Sequence, residues 1–316
     1  MPASGSCIFT DADGYQASLQ EMLDLLVMRP REFRARLTWV ELPQLRLLRA
    51  QEASPRVAYV SLPPEPVYVI FPTQRGLPLI CNGTELQFGD FMLHSRGERL
   101  HQRTVAASRW GSIALTPALL SAFGRTIMGQ DLVPPPVGRI LRPLPADRLR
   151  LLRLHAQAGR IAETNLRHLS HPEVARALEQ DLIWALATCL ATGEPLDDPT
   201  VRRGQARILV QFEAVLAAAH PGRRPRMPEI CSAIGVSDRT LRACCAKLLG
   251  MSPDRYQRLR RLKLVRADLL RGDPEEVSIA EATKRYGFAN LHRFVTEYRN
   301  AYGEMPAETL RRAAER

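Results

Sequence analysis

Residues 230–250 read ICSAIGVSDRTLRACCAKLLG, and residues 278–303 read SIAEATKRYGFANLHRFVTEYRNAYG. Around the start of the first stretch, Met227, Ile230, Cys231 and Ile234 fall at i, i+3, i+4 and i+7, the spacing that lays one apolar stripe along a helix. Gly235 follows and supplies the left-handed backbone that ends a helix in a tight turn. Ser237 then caps a second helix with Leu241, Cys245 and Leu248 inward, closed by Gly250 and Pro253. Helix, glycine turn and capped helix together make a helix-turn-helix.

The same grammar returns in the second stretch. Ser278 and Glu281 have the spacing of a capping box, Tyr286 and Gly287 end the first helix, and Asn290 caps a second with Leu291, Phe294, Tyr298 and Tyr302 inward. Gly303 and Pro306 close it. An offset of 53 residues places Ser237 on Asn290, Leu241 on Phe294, Cys245 on Tyr298, Gly250 on Gly303 and Pro253 on Pro306. A repeat of that length built from helices is a duplicated supersecondary unit. Residues 253–271 between the repeats read as one helix, with Tyr256, Leu259, Leu262, Val265 and Leu269 inside and Arg255, Arg258, Arg260, Arg261, Lys263, Arg266 and Arg271 along it. Such a rod sets the two second helices at a fixed separation, so that each can enter successive major-groove segments. Taken singly, its arginines also fit an ordinary solvated basic face.

Charge points the same way. Residues 201–316 hold 23 Lys and Arg against 13 Asp and Glu, whereas residues 1–200 hold 21 against 20. A one-sided basic excess marks a polyanion partner, because neutralised phosphates release condensed counterions. A membrane surface is the competing polyanion. No run of 18 apolar residues occurs, and no basic stretch followed by an apolar core opens the chain, so the expectation is a cytoplasmic, nucleoid-associated protein without membrane attachment. The six cysteines, Cys7, Cys81, Cys189, Cys231, Cys244 and Cys245, show neither a C-x-x-C pair nor Cys/His ligand spacing, which argues against zinc and against a disulfide framework. Adjacent arginines around Cys244-Cys245 suggest a redox switch, but Cys245 lies on the core face, and packing is the better explanation.

Ahead of these units the texture is different. Residues 15–28 carry Leu19, Met22, Leu23 and Leu26 at helical spacing. Short β-rich runs follow at 57–62, 67–71, 77–81, 85–88, 91–94 and 111–115, split by Pro-Pro, Gly89-Asp90 and Asn82-Gly83, the last a two-residue hairpin signal. They imply a small antiparallel sandwich or barrel. The proline-rich segment 134–145 reads as a boundary or a strap over the sheet. Two helical stretches, 145–168 and 172–192, carry apolar stripes that serve either packing within the chain or a dimer interface. Residues 193–203, with Pro195, Asp197, Asp198 and Pro199, look like a linker. The expected organisation is therefore a β-rich sensory domain over 1–145, a helical dimerisation segment and linker over 146–200, and a DNA-binding domain over 201–316.

Residues 207–312 resemble the AraC/XylS family of transcription regulators. The resemblance rests on ICSAIGVSDRTL at 230–241 with LGMSP at 249–253, then on SIAE at 278–281, YGF at 286–288, Arg293-Phe294 and YRNAYG at 298–303 ahead of Pro306. The chain departs from the family at Cys245, often an aromatic there, and at Asn290, often an acidic or hydroxyl cap. The resemblance implies an α+β protein: an N-terminal β-rich, cupin-like effector and dimerisation domain with helices, and a C-terminal all-α domain of two helix-turn-helix units joined by a long helix. It also implies double-stranded promoter DNA as partner, with RNA polymerase, a small effector and a second copy of the chain as further ones, in an activator-like role.

On the first recognition helix, Asp238, Arg239, Arg242 and Lys247 lie opposite the apolar face. On the second the matching residues are His292, Arg293, Thr296 and Arg299. Arginine near a helix start can bond guanine in a bidentate way, so Asp238, Arg239, Arg242, His292 and Thr296 are expected at bases. Lys247, Arg293 and Arg299 are expected at phosphates, together with the capped helix starts at Ser237 and Asn290. In the N-terminal part, His94, Glu98 and His101 resemble a two-histidine, one-carboxylate iron site only loosely, since the paired His-x-His is missing. Tyr59, Tyr68, Phe71, Phe88, Phe91 and Trp110 read as core. No nucleophile with a paired base, phosphate loop or ligand cluster stands out, so no catalytic residue, metal or cofactor is expected. The rival reading is a metal-dependent cupin-type or cysteine alkyl-transfer enzyme with a DNA-binding tail.

Overall fold

A computed structural model describes residues 4–19, 21–28, 32–129, 131–164, 169, 171–196, 199–272 and 278–314. Two compact units divide the chain: Met1–Leu25 with Phe33–Arg203, and Gly204–Arg316 with Leu26–Glu32.

The N-terminal unit is built on strands β1 (Ser4–Phe9), β2 (Met22–Val27), β3 (Ala35–Glu41), β4 (Leu45–Glu52), β5 (Arg56–Ser61), β6 (Val67–Pro72), β7 (Leu79–Cys81), β8 (Thr84–Leu86), β9 (Phe91–Leu93), β10 (Arg99–Arg103), β11 (Ser108–Leu115), β12 (Arg139–Arg142) and β13 (Glu194–Pro195). They form an eight-stranded sheet in the order β1-β3-β4-β11-β6-β9-β12-β13 and a five-stranded sheet in the order β2-β5-β10-β7-β8. The expected Asn82-Gly83 hairpin joins β7 to β8, with φ of 46° and 77° at the two turn residues and Cys81 paired to Thr84.

Helices α1 (Ala12–Ala17), α2 (Pro117–Met128), α3 (Pro145–Thr164) and α4 (Pro172–Thr192) complete the unit. Val40, Leu47, Val69, Phe71, Phe91 and Ile113 from the larger sheet share one core with Leu151, Leu182, Ile183 and Leu186 from α3 and α4. Close contact of α3 with the sheet depends on two glycines. A Cβ on Gly159 would lie 2.2 Å from Arg49 Cδ, and one on Gly111 would lie 2.4 Å from His155 Cε1. Into that space Arg49 donates from Nη1 to His155 Nδ1 at 2.9 Å, and His155 Nε2 donates to Leu48 O at 3.0 Å. Burial and the Arg49 charge push the His155 imidazole down to about 3, so it stays neutral and acts as a fixed strut.

Three expectations are corrected. The helix expected over 15–28 is instead α1, capped by Asp11, followed by β2. Backbone pairing of Ser61 N to Glu21 O at 2.8 Å draws this stretch to the smaller sheet, and tertiary pairing overrides a helical spacing of leucines. The linker expected over 193–203 is partly structured: β13 pairs with β12, and α5 (Pro199–Ala218) begins at Pro199. Asp197, Asp198 and His168 lie outside the described residues. The proline-rich segment contains β12, which extends the sheet by pairing with β9.

The C-terminal unit is helical: α6 (Met227–Ile234), α7 (Asp238–Leu249), α8 (Pro253–Arg271), α9 (Ile279–Arg285), α10 (Leu291–Tyr302) and α11 (Pro306–Ala314). Helix α8 touches α7, α9, α10 and α11 and is the common support of both helix-turn-helix units. Leu262, Val265 and Leu269 on α8 share a core with Ala282, Tyr286, Phe294, Tyr298 and Leu310. Leu291, expected inward, is 46% exposed. It is the first residue after the Asn290 cap, where the helix has not yet turned its apolar stripe toward the core.

Candidate nucleic-acid interface

Each second helix begins on a side-chain cap. Ser237 Oγ accepts from Thr240 N at 3.1 Å, and Asn290 Oδ1 accepts from Arg293 N at 2.9 Å. Each ends on a left-handed glycine, Gly250 with φ 70° and Gly303 with φ 76°, whose N–H returns to the last turn. The residues superposed by the 53-residue offset behave alike: Leu241, Cys245, Phe294 and Tyr298 are all fully buried. With those positions fixed inward, the opposite faces are fixed outward. Asp238, Arg239, Arg242, Ala243 and Lys247 are exposed on α7, and His292, Arg293, Thr296 and Arg299 are exposed on α10.

These polar faces are not uniformly free. Arg242 donates from Nε to Asp238 Oδ2 at 2.7 Å, with Asp254 of α8 at 3.5 Å. Asp254 in turn accepts from Arg224 at 2.8 Å. On α10, Arg293 donates from Nε to Glu297 Oε1 at 2.9 Å, and Arg258 of α8 donates to the same oxygen at 3.2 Å. One arginine on each second helix is thus held by an acid one helical turn away, within reach of the common support. Thr296 donates its hydroxyl to His292 O at 3.1 Å, leaving its oxygen lone pairs to accept. Arg239, Lys247 and Arg299 make no side-chain ion pair among the described residues and stand ready for an external anion.

The basic rod is less available than its sequence suggests. Arg266 is buried and donates to Glu304 at 2.5 Å while lying 4.5 Å from the centre of the Tyr302 ring. Arg260 meets buried Glu213 of α5 at 2.6 Å, and Arg261 sits 4.4 Å from the centre of the Phe288 ring. These three arginines fasten helices inside the unit.

Residues 230–312 match a family model described as a helix-turn-helix domain. Over 228 residues the chain is 29% identical to a probable thc operon regulatory protein of Rhodococcus erythropolis, covering 67% of this chain and 66% of that protein. Over 76 residues it is 41% identical to the XylDLEGF operon transcriptional activator of Pseudomonas putida, covering 24% of each. The segment matched by the family model lies within residues 207–312, whose motifs resemble the AraC/XylS family. The chain's matched part spans just under two thirds of the first relative and about a quarter of the second. The AraC-like transcriptional activator CuxR superposes on 90% of this chain and 100% of its own, at 15% identity and a TM-score of 0.44.

Within this helix-turn-helix domain, the sequence placed Asp238 on the outward face but did not show its hold on Arg242, and the other acids that hold arginines were not singled out. Asp238 and Glu297 stand four residues from the arginines they hold, a spacing that brings side chains together on a helix and that marked both pairs in advance. Asp254 and Glu213 come from other helices and Glu304 from the turn after α10, and no local pattern announces them. The vicinal thiols also find their explanation here. Burial raises Cys244, and burial, then neighbouring Cys244 and Glu213, pushes Cys245 up to about 12, so neither forms a thiolate near neutrality. In the histidine and carboxylate set that loosely resembles an iron site, His94 Nδ1 pairs with Glu98 Oε2 at 2.9 Å, while His101 stacks on Tyr59 at 4.7 Å.

Proposed function

We propose that this protein is a sequence-specific regulator of transcription that binds double-stranded promoter DNA through α7 and α10. One observation carries the reading. Two capped helices, superposed position for position by the 53-residue offset, bury equivalent residues against one support and expose polar, basic faces. The helix-turn-helix family model falls on this part of the chain, and the likeness to a transcriptional activator supports the same reading.

In this reading Arg239, Arg242, Asp238, His292 and Thr296 address base edges. Lys247, Arg293 and Arg299 address phosphates, as do the helix starts capped by Ser237 and Asn290. Residues 201–316 bind DNA, residues 1–145 form a sensory domain, and 146–200 supply helices for a homodimer. A small effector and RNA polymerase are the further partners, in a cytoplasmic, nucleoid-associated setting. The protein acts by binding and not by catalysis; burial of Cys244 and Cys245 works against alkyl transfer at those thiols, and stoichiometric iron or zinc in the purified protein would revive the enzyme reading.

The test compares two exposed cations. Arg239→Ala is expected to relax preference at one base pair, at about 1–3 kcal/mol of discrimination, whereas Lys247→Ala weakens binding to all sequences alike and reduces the salt slope by about 1. Selection of bound sequences from a random pool, with titrations at several salt concentrations, reads both. Uniform loss in both variants refutes the base assignment, and salt-insensitive binding refutes the interface.

A further inference from the structure

The larger sheet of the N-terminal unit ends in a hollow that DNA reading does not use. Register sets Ile8, Arg36, Gln51 and Arg109 side by side across β1, β3, β4 and β11. Neighbouring strands lie about 4.8 Å apart, so Arg36 and Arg109 start roughly 10 Å from each other with Gln51 between, close enough for two long side chains to grip one acceptor. Arg34 and Arg75 add two further cations, and the whole encloses a cavity of about 650 Å³, within the size range of small-molecule sites. Two large apolar side chains at its margin face water: Ile8 is 50% exposed and Leu77 61%.

The charge of this hollow is unbalanced. Its one carboxylate among the described residues, Glu52, is already spent. Arg56 Nε donates to both of its oxygens at 3.1 and 3.0 Å, and Tyr15, Ser108 and Trp110 donate to it as well. Arg36 approaches Glu163 only at 3.8 Å. Arg75 lies 5.9 Å from the centre of the Phe88 ring, and Arg34 and Arg109 have no ion pair among the described residues. Cations gathered in a concave, partly apolar site attract an anion strongly, and guanidinium groups match carboxylate and phosphate oxygens in geometry.

We propose that this cavity is the effector site and that its ligand is a small organic anion, a carboxylate or phosphate ester gripped by Arg36 and Arg109 with its apolar body against Ile8, Leu77 and Leu79. The inference rests on the reading of the N-terminal unit as a sensory domain. Calorimetric titration of the full chain with 4-phenylbutyrate, 2-phenylethyl phosphate and the uncharged 4-phenylbutanamide tests it. At least one anion is expected to saturate a single site and the amide to bind at least about tenfold more weakly, the equivalent of one lost charge-assisted contact. Arg109→Gln, at an exposed position, is expected to lose about tenfold in anion affinity with an unchanged melting temperature. Equal affinity for acid and amide, full affinity in the Arg109→Gln variant, or no saturation by either anion at about 10 mM overturns the site. The tighter-binding anion identifies carboxylate or phosphate as the recognised group. An anion that binds but leaves promoter-DNA affinity unchanged upholds the cavity and overturns its effector role, so the two failures are told apart.

Discussion

Leu241, Cys245 and Leu249 fill the first helix-turn-helix unit at the positions where Phe294, Tyr298 and Tyr302 fill the second. The scaffold of caps, turns and stops is the same; the filling is not. In the second unit, rings run from Phe288 through Phe294 and Tyr298 to Tyr302 with centroids 4.7 to 5.5 Å apart. Tyr298 reaches on to Thr309 at 2.8 Å, and Arg266 crosses the gap to Glu304. The first unit has smaller side chains there, and its second layer comes from α5, where Phe212 packs on Tyr256 at 6.1 Å and Glu213 accepts from the Tyr256 hydroxyl. The difference teaches that a capped helix with a polar outer face can be backed either by a preceding helix, through Phe212 and Glu213, or by a run of its own aromatic rings closed by the Arg266–Glu304 pair.

Removing the ion pair should separate the two units most sharply. Arg266→Ala leaves half-buried Glu304 with Arg312 as its remaining cation and removes the contact to Tyr298, at a cost of about 3 kcal/mol. Hydrogen exchange should rise across α10 and α11 while α7 amides keep their protection; equal loosening of α7 would show that the units are not independently held. Next in size is the exchange of filling. Cys245→Tyr imports the ring of the second unit into a site with no room for it and should cost about 2 kcal/mol by overpacking, read as a lower denaturation midpoint at constant slope. A neutral outcome would mean that the first core accepts either filling.

Acid gives the smallest contrast. Burial would raise the Glu304 carboxyl, but hydrogen bonds from Thr309 and Arg266 and the charges of Arg266 and Arg312 hold it below its ordinary value of 4.5. A carboxylate depressed in the folded state contributes stability that is present above its unfolded value and lost as pH falls through the folded one. Protection of α10 and α11 amides, taken relative to their intrinsic exchange rates, should therefore fall as pH drops below 4.5, and this dependence should vanish in Glu304→Gln. Persistence of the full pH dependence in that variant would assign it to another group.

Legibility in the sequence followed locality. Ser237, Gly235, Asn290 and Gly303 act within one helical turn, and their roles were plain from spacing alone. The strands β3 and β4 were not, because the larger sheet is covered on one face by helices and on the other by protein interior; Leu47 and Leu48 are both buried, and the alternation that reveals a half-buried strand is lost. Met22–Val27 failed for the opposite reason, since its leucines satisfy a helical spacing that only pairing in the sheet overrules. At the interface, sequence located the outward faces but not their restraints. Asp254 and Glu304 stand far from the arginines they hold, and nothing short of the folded chain brings them together. The arginine-lined hollow was invisible for the same reason, its cations being drawn from residues 34 to 109 by strand register.

Helix α8 has a further consequence as a ruler with a phase. Its 19 residues span roughly 28 Å at about 1.5 Å per residue, and each residue also rotates the chain beyond it by about 100°. Inserting a single residue would scarcely lengthen it yet would swing the second unit a quarter turn or more away from the first. Distance between the two outward faces and their angular agreement are thus set by one count of residues, and neither can be changed without disturbing the other.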